Sequence, residues 1–324
     1  MAGAMAGSAV LTAPDKTREL GIVTLTINNS CNLRCPHCYL QYATESQDLI
    51  NWTDVSHILE SQFRHLCIVG KEPLSNRSAA ALTSRLIAAA RDTGRSSSFI
   101  TNGLNLRLLD ADSFRRLDWL DVSLDGGPRS YASYRGGSYS KLTHGIEYAR
   151  DSGLDDLRIL HTVSSGNLES TDEALQAALS FQPRYVVVSP FQATRHDGTQ
   201  SVAMVSPSEL LRALENAGAH TDSRIWLTLD HGYAKHFSDA EAVNRLRKIF
   251  GDRLVYIDSD PIDRGIIRVT FDGLVLSPFE SVHTAEYGQR GRPLRRHSLT
   301  EWYQTILAEA SLAERQLAFS ATCA

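Results

Sequence analysis

The feature that most limits the fold is an alternation repeated about six times: a short run rich in β-branched residues, then a longer stretch with helical spacing. The spacing predicts strands over 21–28, 65–69, 98–101, 119–124, 157–163 and 184–189, with helices over 52–63, 78–91, 113–117, 142–151, 172–180 and 207–217. Strands that alternate with helices pair in parallel, with right-handed crossovers. Runs such as HLCIV (65–69) and RYVVVS (184–189) are apolar through most of their length rather than at every second position. That is the pattern of a sheet covered on both faces. Ser206 followed by Pro207 marks a helix start, an N-cap with proline in the first turn. Further on come strands over 225–229 and 254–257, a helix over 239–250 and an amphipathic helix over 300–312. The runs 266–269 and 274–276 flank Phe271-Asp272-Gly273, a hairpin signal. The fold class is α/β.

Composition narrows the function. Of 324 residues, 33 are Lys or Arg and 37 are Asp or Glu, a net charge of −4. No basic field exists to hold nucleic acid or an anionic membrane surface, and no apolar run reaches the roughly 18 residues of a membrane span. Residues 1–14 are rich in Ala and Gly, with the first basic residue at Lys16; a secretory signal places basic residues ahead of its apolar stretch. This segment reads as part of a disordered arm, 1–20. Five cysteines, an odd number with three of them crowded together, do not suit a secreted disulfide scaffold. A reduced, cytoplasmic protein is expected.

The crowded cysteines stand in Ser30-Cys31-Asn32-Leu33-Arg34-Cys35-Pro36-His37-Cys38-Tyr39, directly after the first predicted strand. Thiols four and three residues apart let one loop wrap a metal centre. A structural zinc site wants four closed ligands, which here means recruiting His37 or Cys67. A four-iron cluster also commonly uses four cysteines. Held by three, it leaves one iron with an open coordination position, which a catalytic site needs and a structural site avoids.

The pattern Cys31-x3-Cys35-x2-Cys38, with His37 as the aromatic residue before the last cysteine, resembles the signature of the radical S-adenosylmethionine (radical SAM) enzymes. The resemblance continues at Gly70-Lys71-Glu72-Pro73 after the second strand, where the family has Gly-Gly-Glu-Pro. Thr101-Asn102-Gly103 follows the third strand, and Ser123-Leu124-Asp125-Gly126 ends the fourth. Arg135-Gly136-Gly137-Ser138-Tyr139 then appears, as in the subgroup with peptide-modifying and molybdopterin-cyclising members. The recognisable pattern covers about residues 21–190.

The resemblance implies a partial, TIM-like (β/α)6 barrel over 21–222 and a C-terminal α/β extension over 223–324. It implies one [4Fe–4S] cluster on Cys31, Cys35 and Cys38, whose open iron takes the amino and carboxylate groups of S-adenosylmethionine. An electron from a donor such as flavodoxin or ferredoxin would break the sulfonium–C5′ bond, and the 5′-deoxyadenosyl radical would abstract hydrogen from the substrate. The cofactor carries the difficult chemistry; the protein orients and excludes. By position, Gly70, Lys71, Glu72 and Pro73 would meet the methionine amino group. Ser123 and Asp125 would contact ribose or carboxylate, His37 and Tyr39 would lie near adenine, and Asn102 would join the cofactor site. Lys71 departs from the family's second glycine, which allows close backbone approach.

Catalytic candidates are fewer. Cys67, within an apolar strand, reads as a small buried hydrophobe or as a hydrogen donor to a substrate radical. His161 on the fifth strand, and Gln192, Arg195 and His196 after the sixth, fall near strand ends that face a barrel's reactive mouth. Asp230, His231 and His236 form a polar group after a later strand, and Cys323 reads as incidental. The stretch 266–291 resembles the hairpin that opens the auxiliary-cluster (SPASM/twitch) extension of peptide-modifying relatives. Ser277-Pro278-Phe279 stands where they carry a cysteine, so no auxiliary cluster is expected. Without that electron acceptor a redox-neutral outcome is favoured: epimerisation, rearrangement or C–C bond formation. The expected substrate is a small natural-product intermediate derived from a nucleoside, sugar or amino acid. A ribosomally made peptide is the alternative substrate, and a zinc-binding regulatory or scaffold protein is the alternative of another class.

Overall fold

The structure, a computed structural model, describes residues 19–38, 46–193, 201–257, 261–278 and 290–309. The first half alternates as predicted: β1 (Ile22–Thr26), α1 (Trp52–Glu60), β2 (His65–Val69), α2 (Arg77–Asp92), β3 (Ser96–Thr101), α3 (Ala111–Arg116) and β4 (Trp119–Ser123). Then come α4 (Tyr131–Arg135), α5 (Tyr139–Asp151), β5 (Leu157–Val163), α6 (Thr171–Ser180), β6 (Tyr185–Pro190) and α7 (Pro207–Asn216). Each strand from β1 to β6 pairs in parallel with the next. The parallel run continues past residue 222 through β7 (Ile225–Asp230) and β8 (Leu254–Ile257), with α8 (His231–Phe237) and α9 (Ala240–Phe250) between them. The result is a many-stranded parallel sheet, the partial TIM-like barrel.

The predicted hairpin forms, but on the far edge. Its first strand, β9 (Ile266–Val269), lies parallel to β1, with Thr24 opposite Arg268. Its second, β10 (Leu274–Leu276), returns antiparallel and carries β11 (Arg292–Pro293) outside it. The strand order is therefore β11-β10-β9-β1-β2-β3-β4-β5-β6-β7-β8. A last helix, α10 over 299–309, follows. With neighbours on both sides, β1 is an inner strand, and the cysteine loop leaves from its C-terminal end.

Period-two alternation explains the core. Val23 and Leu25, Leu66 and Ile68, Leu120 and Val122, and Val186 and Val188 are fully buried within one apolar cluster that also holds the helix side chains Val55, Ile58, Leu86 and Ile146. Residues between them face the other side of the sheet. Helix starts follow the capping rule: Asn51, Asn76, Ser138 and Asp239 each accept an N–H of the first turn. Ser206 and Glu209 form a reciprocal capping box. Gly103 turns the chain at φ +78°, where a Cβ would lie 2.3 Å from Leu142 Cδ1. Two helices escape the periodicity, α4 and α8. Each is one to two turns long, too short for an apolar stripe to repeat.

Candidate active site

The cysteine loop closes over one end of the barrel, beside a cavity of about 740 Å³. Cys31, Cys35 and Cys38 line it, as do Leu33, Arg34, Pro36 and His37 from the same loop. The opposite walls are Gly70, Lys71 and Glu72 after β2, Thr101 and Asn102 at the end of β3, and Ser123 at the end of β4. Val69, Ile100, Leu160 and Thr162 face inward from β2, β3 and β5. These groups come from the C-terminal ends of successive strands, where barrel enzymes gather their chemistry.

The loop after β2 is braced from behind. Glu72 is 2% exposed, and its carboxylate accepts from Thr101 Oγ1 (2.7 Å), Asn102 N (2.8 Å) and Leu74 N (2.9 Å). Burial pushes its carboxyl above the usual range, and these donors only partly offset that. Asn28, two residues past β1, donates to the Glu72 carbonyl at 2.7 Å. A Cβ on Gly70 would lie 2.2 Å from Asn28 Oδ1, so this position needs glycine for close approach. The next position tolerates lysine: Lys71 takes its place on the cavity wall with its N–H 3.3 Å from the Asn28 carbonyl. Asn102 Nδ2 turns to the cysteine loop, 2.8 Å from Asn32 Oδ1 and 4.0 Å from Cys31 Sγ.

Asp125 anchors the other side. It is 1% exposed and does not line the cavity. Its carboxylate pairs with Arg135, lies 3.2 Å from His37 Nε2, and accepts the Thr162 N–H at 2.6 Å. Burial alone would raise this carboxyl; Arg135 and His37 outweigh it and hold the group well below the usual range. His37 stacks on Tyr134 at 5.1 Å, and the Arg135 carbonyl is 3.8 Å from Cys35 Sγ. Asp125 thus reaches the cysteine loop through Arg135 and His37 and has no oxygen aimed at the cavity. The sequence expectation of a ribose or carboxylate contact is not what this geometry provides.

The thiols sit in a low-polarity setting. Burial, reinforced by Glu72 and the neighbouring thiols, pushes Cys31 up to about 12, and burial also raises Cys35. Metal binding displaces such protons. Cys67 faces the barrel interior one layer below the cavity wall, level with Thr24 and Ser98. Burial and the Asp121 charge push its thiol up to about 12, so it stays protonated. His161 lies on the opposite face of β5 from Leu160 and Thr162. It is 1% exposed, with Nδ1 3.0 Å from the Leu124 carbonyl and 3.8 Å from Asp125. It does not reach the cavity, because strand residues alternate faces. Pro73 is likewise off the wall, and Gln192 and His236 are exposed away from it. Tyr39, Arg195, His196, Phe279 and Cys323, and the side chain of His231, lie outside the described residues. Sequence reasoning missed Arg268 on β9 and Arg135 as a structural partner, though Arg135 opens the quoted Arg-Gly-Gly motif.

Residues 25–181 match the radical SAM superfamily. Over these residues the chain carries a radical SAM superfamily domain. Among sequence relatives, a protein named "Probable GTP 3′,8-cyclase" from Methanococcus vannielii is 31% identical over 149 residues, 44% of this chain and 49% of the relative. A GTP 3′,8-cyclase from Marinobacter nauticus is 25% identical over 178 residues, 51% of each. The chain spans about half the length of the curated relatives it matches. By fold, it is similar to Streptococcus suis SuiB bound to precursor peptide SuiA, with TM-score 0.65 and 12% identity over 88% of this chain and 64% of that one. Native anSMEcpe with bound AdoMet gives TM-score 0.54 and 15% identity over 79% and 73%. These structural likenesses concern the fold alone.

A radical SAM domain implies a [4Fe–4S] cluster and S-adenosylmethionine, and the lining of this cavity fits both. A cube takes one thiolate per iron, so its three cysteines need not converge on a point. Among the described residues no three His, Cys, Asp or Glu side chains are gathered as a single metal ion requires. The cavity volume lies within the range of cofactor sites. The side-chain-free Gly70 leaves backbone exposed to it, and the buried Nδ1 of His37 has no hydrogen-bond partner.

Proposed function

We propose that this chain is a radical SAM enzyme acting on an unactivated carbon of a small natural-product intermediate derived from a nucleoside, sugar or amino acid, with a redox-neutral outcome. One observation supports it most: three loop thiols share one cavity wall with the Gly70–Glu72 loop, Asn102 and Ser123. Cys31, Cys35 and Cys38 would hold the cluster, which would supply the electron for reductive cleavage of S-adenosylmethionine and so the capacity to abstract hydrogen from an unactivated carbon. The protein's share is positional. Glu72 and Asn28 hold the Gly70–Lys71 backbone against the cavity, Ser123 and Asn102 offer polar contacts, and Asp125 fixes the loop that carries the thiols. Val69, Ile100 and Leu160 give the cavity apolar walls, which keep water and competing hydrogen donors away.

A reaction of this kind takes place in a reducing, cytoplasmic setting; among the described residues no helix is long and apolar enough to cross a membrane. The stretch Ser277-Pro278-Phe279, with no cysteine after its proline, supports a single cluster and a redox-neutral product. A second reading, maturation of a ribosomal peptide, draws on the likeness to a peptide-bound structure. Anaerobic reconstitution with iron and sulfide, followed by dithionite and S-adenosylmethionine, tests the core claim. The expected result is a brown protein that releases 5′-deoxyadenosine, and a Cys35→Ala variant that does not. A colourless protein retaining stoichiometric zinc would overturn it. Deuterium transfer from labelled nucleosides, sugars or amino acids into 5′-deoxyadenosine, compared with candidate peptides, then separates the two substrate readings.

A further inference from the structure

A second, smaller cleft of about 440 Å³ lies outside the barrel, between residues 104–108 and the first turns of α5. Its lining holds two cations, Arg107 and Lys141, with the His144 imidazole beside them, all exposed, and contains no carboxylate. Lys141 Nζ is steadied by Asn105 Oδ1 at 2.9 Å, and Arg107 lies over the Tyr148 ring at 5.3 Å. At the rim stands Leu108, the one exposed large apolar side chain among the described residues. Basic groups around a small apolar contact suit an acidic protein partner.

The cleft backs onto the cysteine loop. Leu104 lines it. A Cβ on Gly137 would lie 3.0 Å from Leu104 Cδ1 and 3.3 Å from Leu33 Cδ2, so these two leucines converge on that glycine. The Leu33 N–H is 3.3 Å from Cys31 Sγ. Asn102, whose Nδ2 is 4.0 Å from the same sulfur, is two residues before Leu104, and two residues of extended chain span at most about 7 Å. A thin layer of side chains therefore separates the cleft from Cys31. Electron tunnelling falls off exponentially with distance, and the cavity side is where cofactor and substrate would stand.

We propose that the Arg107–Lys141–His144 cleft is the docking surface for an acidic, low-potential one-electron carrier protein. The carrier is oxidised by one electron and the cluster reduced by one; that electron then goes to cleave the sulfonium–C5′ bond. The inference rests on the function proposed above. The test uses reduced flavodoxin with its reductase as one electron source and dithionite as the other, with an Arg107→Glu/Lys141→Glu variant. Both substitutions are at exposed positions outside the cofactor cavity.

Removing a steering field slows association by roughly 10-fold or more at low salt, so flavodoxin-driven release of 5′-deoxyadenosine should fall by about that factor while the dithionite-driven rate is unchanged. Flavodoxin binding measured by titration should weaken in parallel, and added salt should weaken wild-type binding. Unchanged flavodoxin binding in the variant overturns the proposal, as does an equal loss with both electron sources. Wild-type protein that releases nothing under dithionite sinks the enzymatic reading instead, and the binding titration still judges the cleft.

Discussion

Asp125 is the residue on which the cysteine loop hangs. Its buried carboxylate holds Arg135 and His37, and removing one partner of such a set leaves a buried charge uncompensated. Asp125→Asn is expected to cost roughly 3 kcal/mol of stability, read as a lower urea midpoint, and to loosen cluster retention during gel filtration. The pH sign follows from its depressed folded value. The stabilisation is present above the unfolded carboxyl's pKa near 4 and is lost as pH falls below it. Wild type should therefore lose more stability than the variant on acidification below pH 4. At Gly70 the expectation is steric. Gly70→Ala must displace Asn28, costing about 1–3 kcal/mol as overpacking, and should weaken S-adenosylmethionine binding by isothermal titration.

At the scale of elements, the inward face of the barrel below the cavity forms a polar stack. His65 on β2 bridges Ser96 and Ser98 of β3 at 2.8 and 2.9 Å and stacks on Trp119 of β4 at 4.2 Å. Arg158 of β5 covers the other partner, 4.2 Å from the Trp119 ring, while bound to Asp156. Burial, helped by the Arg158 charge, pushes His65 down to about 3. An unfolded histidine titrates near 6.5, so this neutral ring contributes stability above that pH that is lost as pH falls toward 3. His65→Gln should flatten the decline between pH 7 and 4.5 by roughly 2 kcal/mol, measured by urea melts at both values. Asp121, pushed up to about 6 chiefly by burial, acts with the opposite sign over about pH 4 to 6, so an unchanged slope in the histidine variant would reassign the acid sensitivity elsewhere. Sequence patterning read β1 through β10 within a residue or two of their bounds, because each is a short apolar or alternating run between turn signals. It could not read α4, whose five residues instead serve to deliver Arg135.

For the whole molecule, a single apolar cluster runs from Leu20 through Ile306 and includes side chains of every strand from β1 to β7. The barrel does not hang on the cysteine loop in the way a zinc finger hangs on its metal. Stripping the iron with chelator should leave the far-ultraviolet circular dichroism unchanged and remove only the visible absorbance; collapse of the helical signal would show that the cluster is needed for the fold. The β-α alternation and the local thiol spacing were legible from the chain because both are short-range patterns, set by backbone periodicity and loop reach. Tertiary structure alone decided that β9 sits beside β1, that Arg268 thereby enters the cavity, that His161 turns away from it, and that Asp125 meets His37. Those outcomes depend on strand order, face parity and long-range ion pairing, and no local stretch of sequence carries that information.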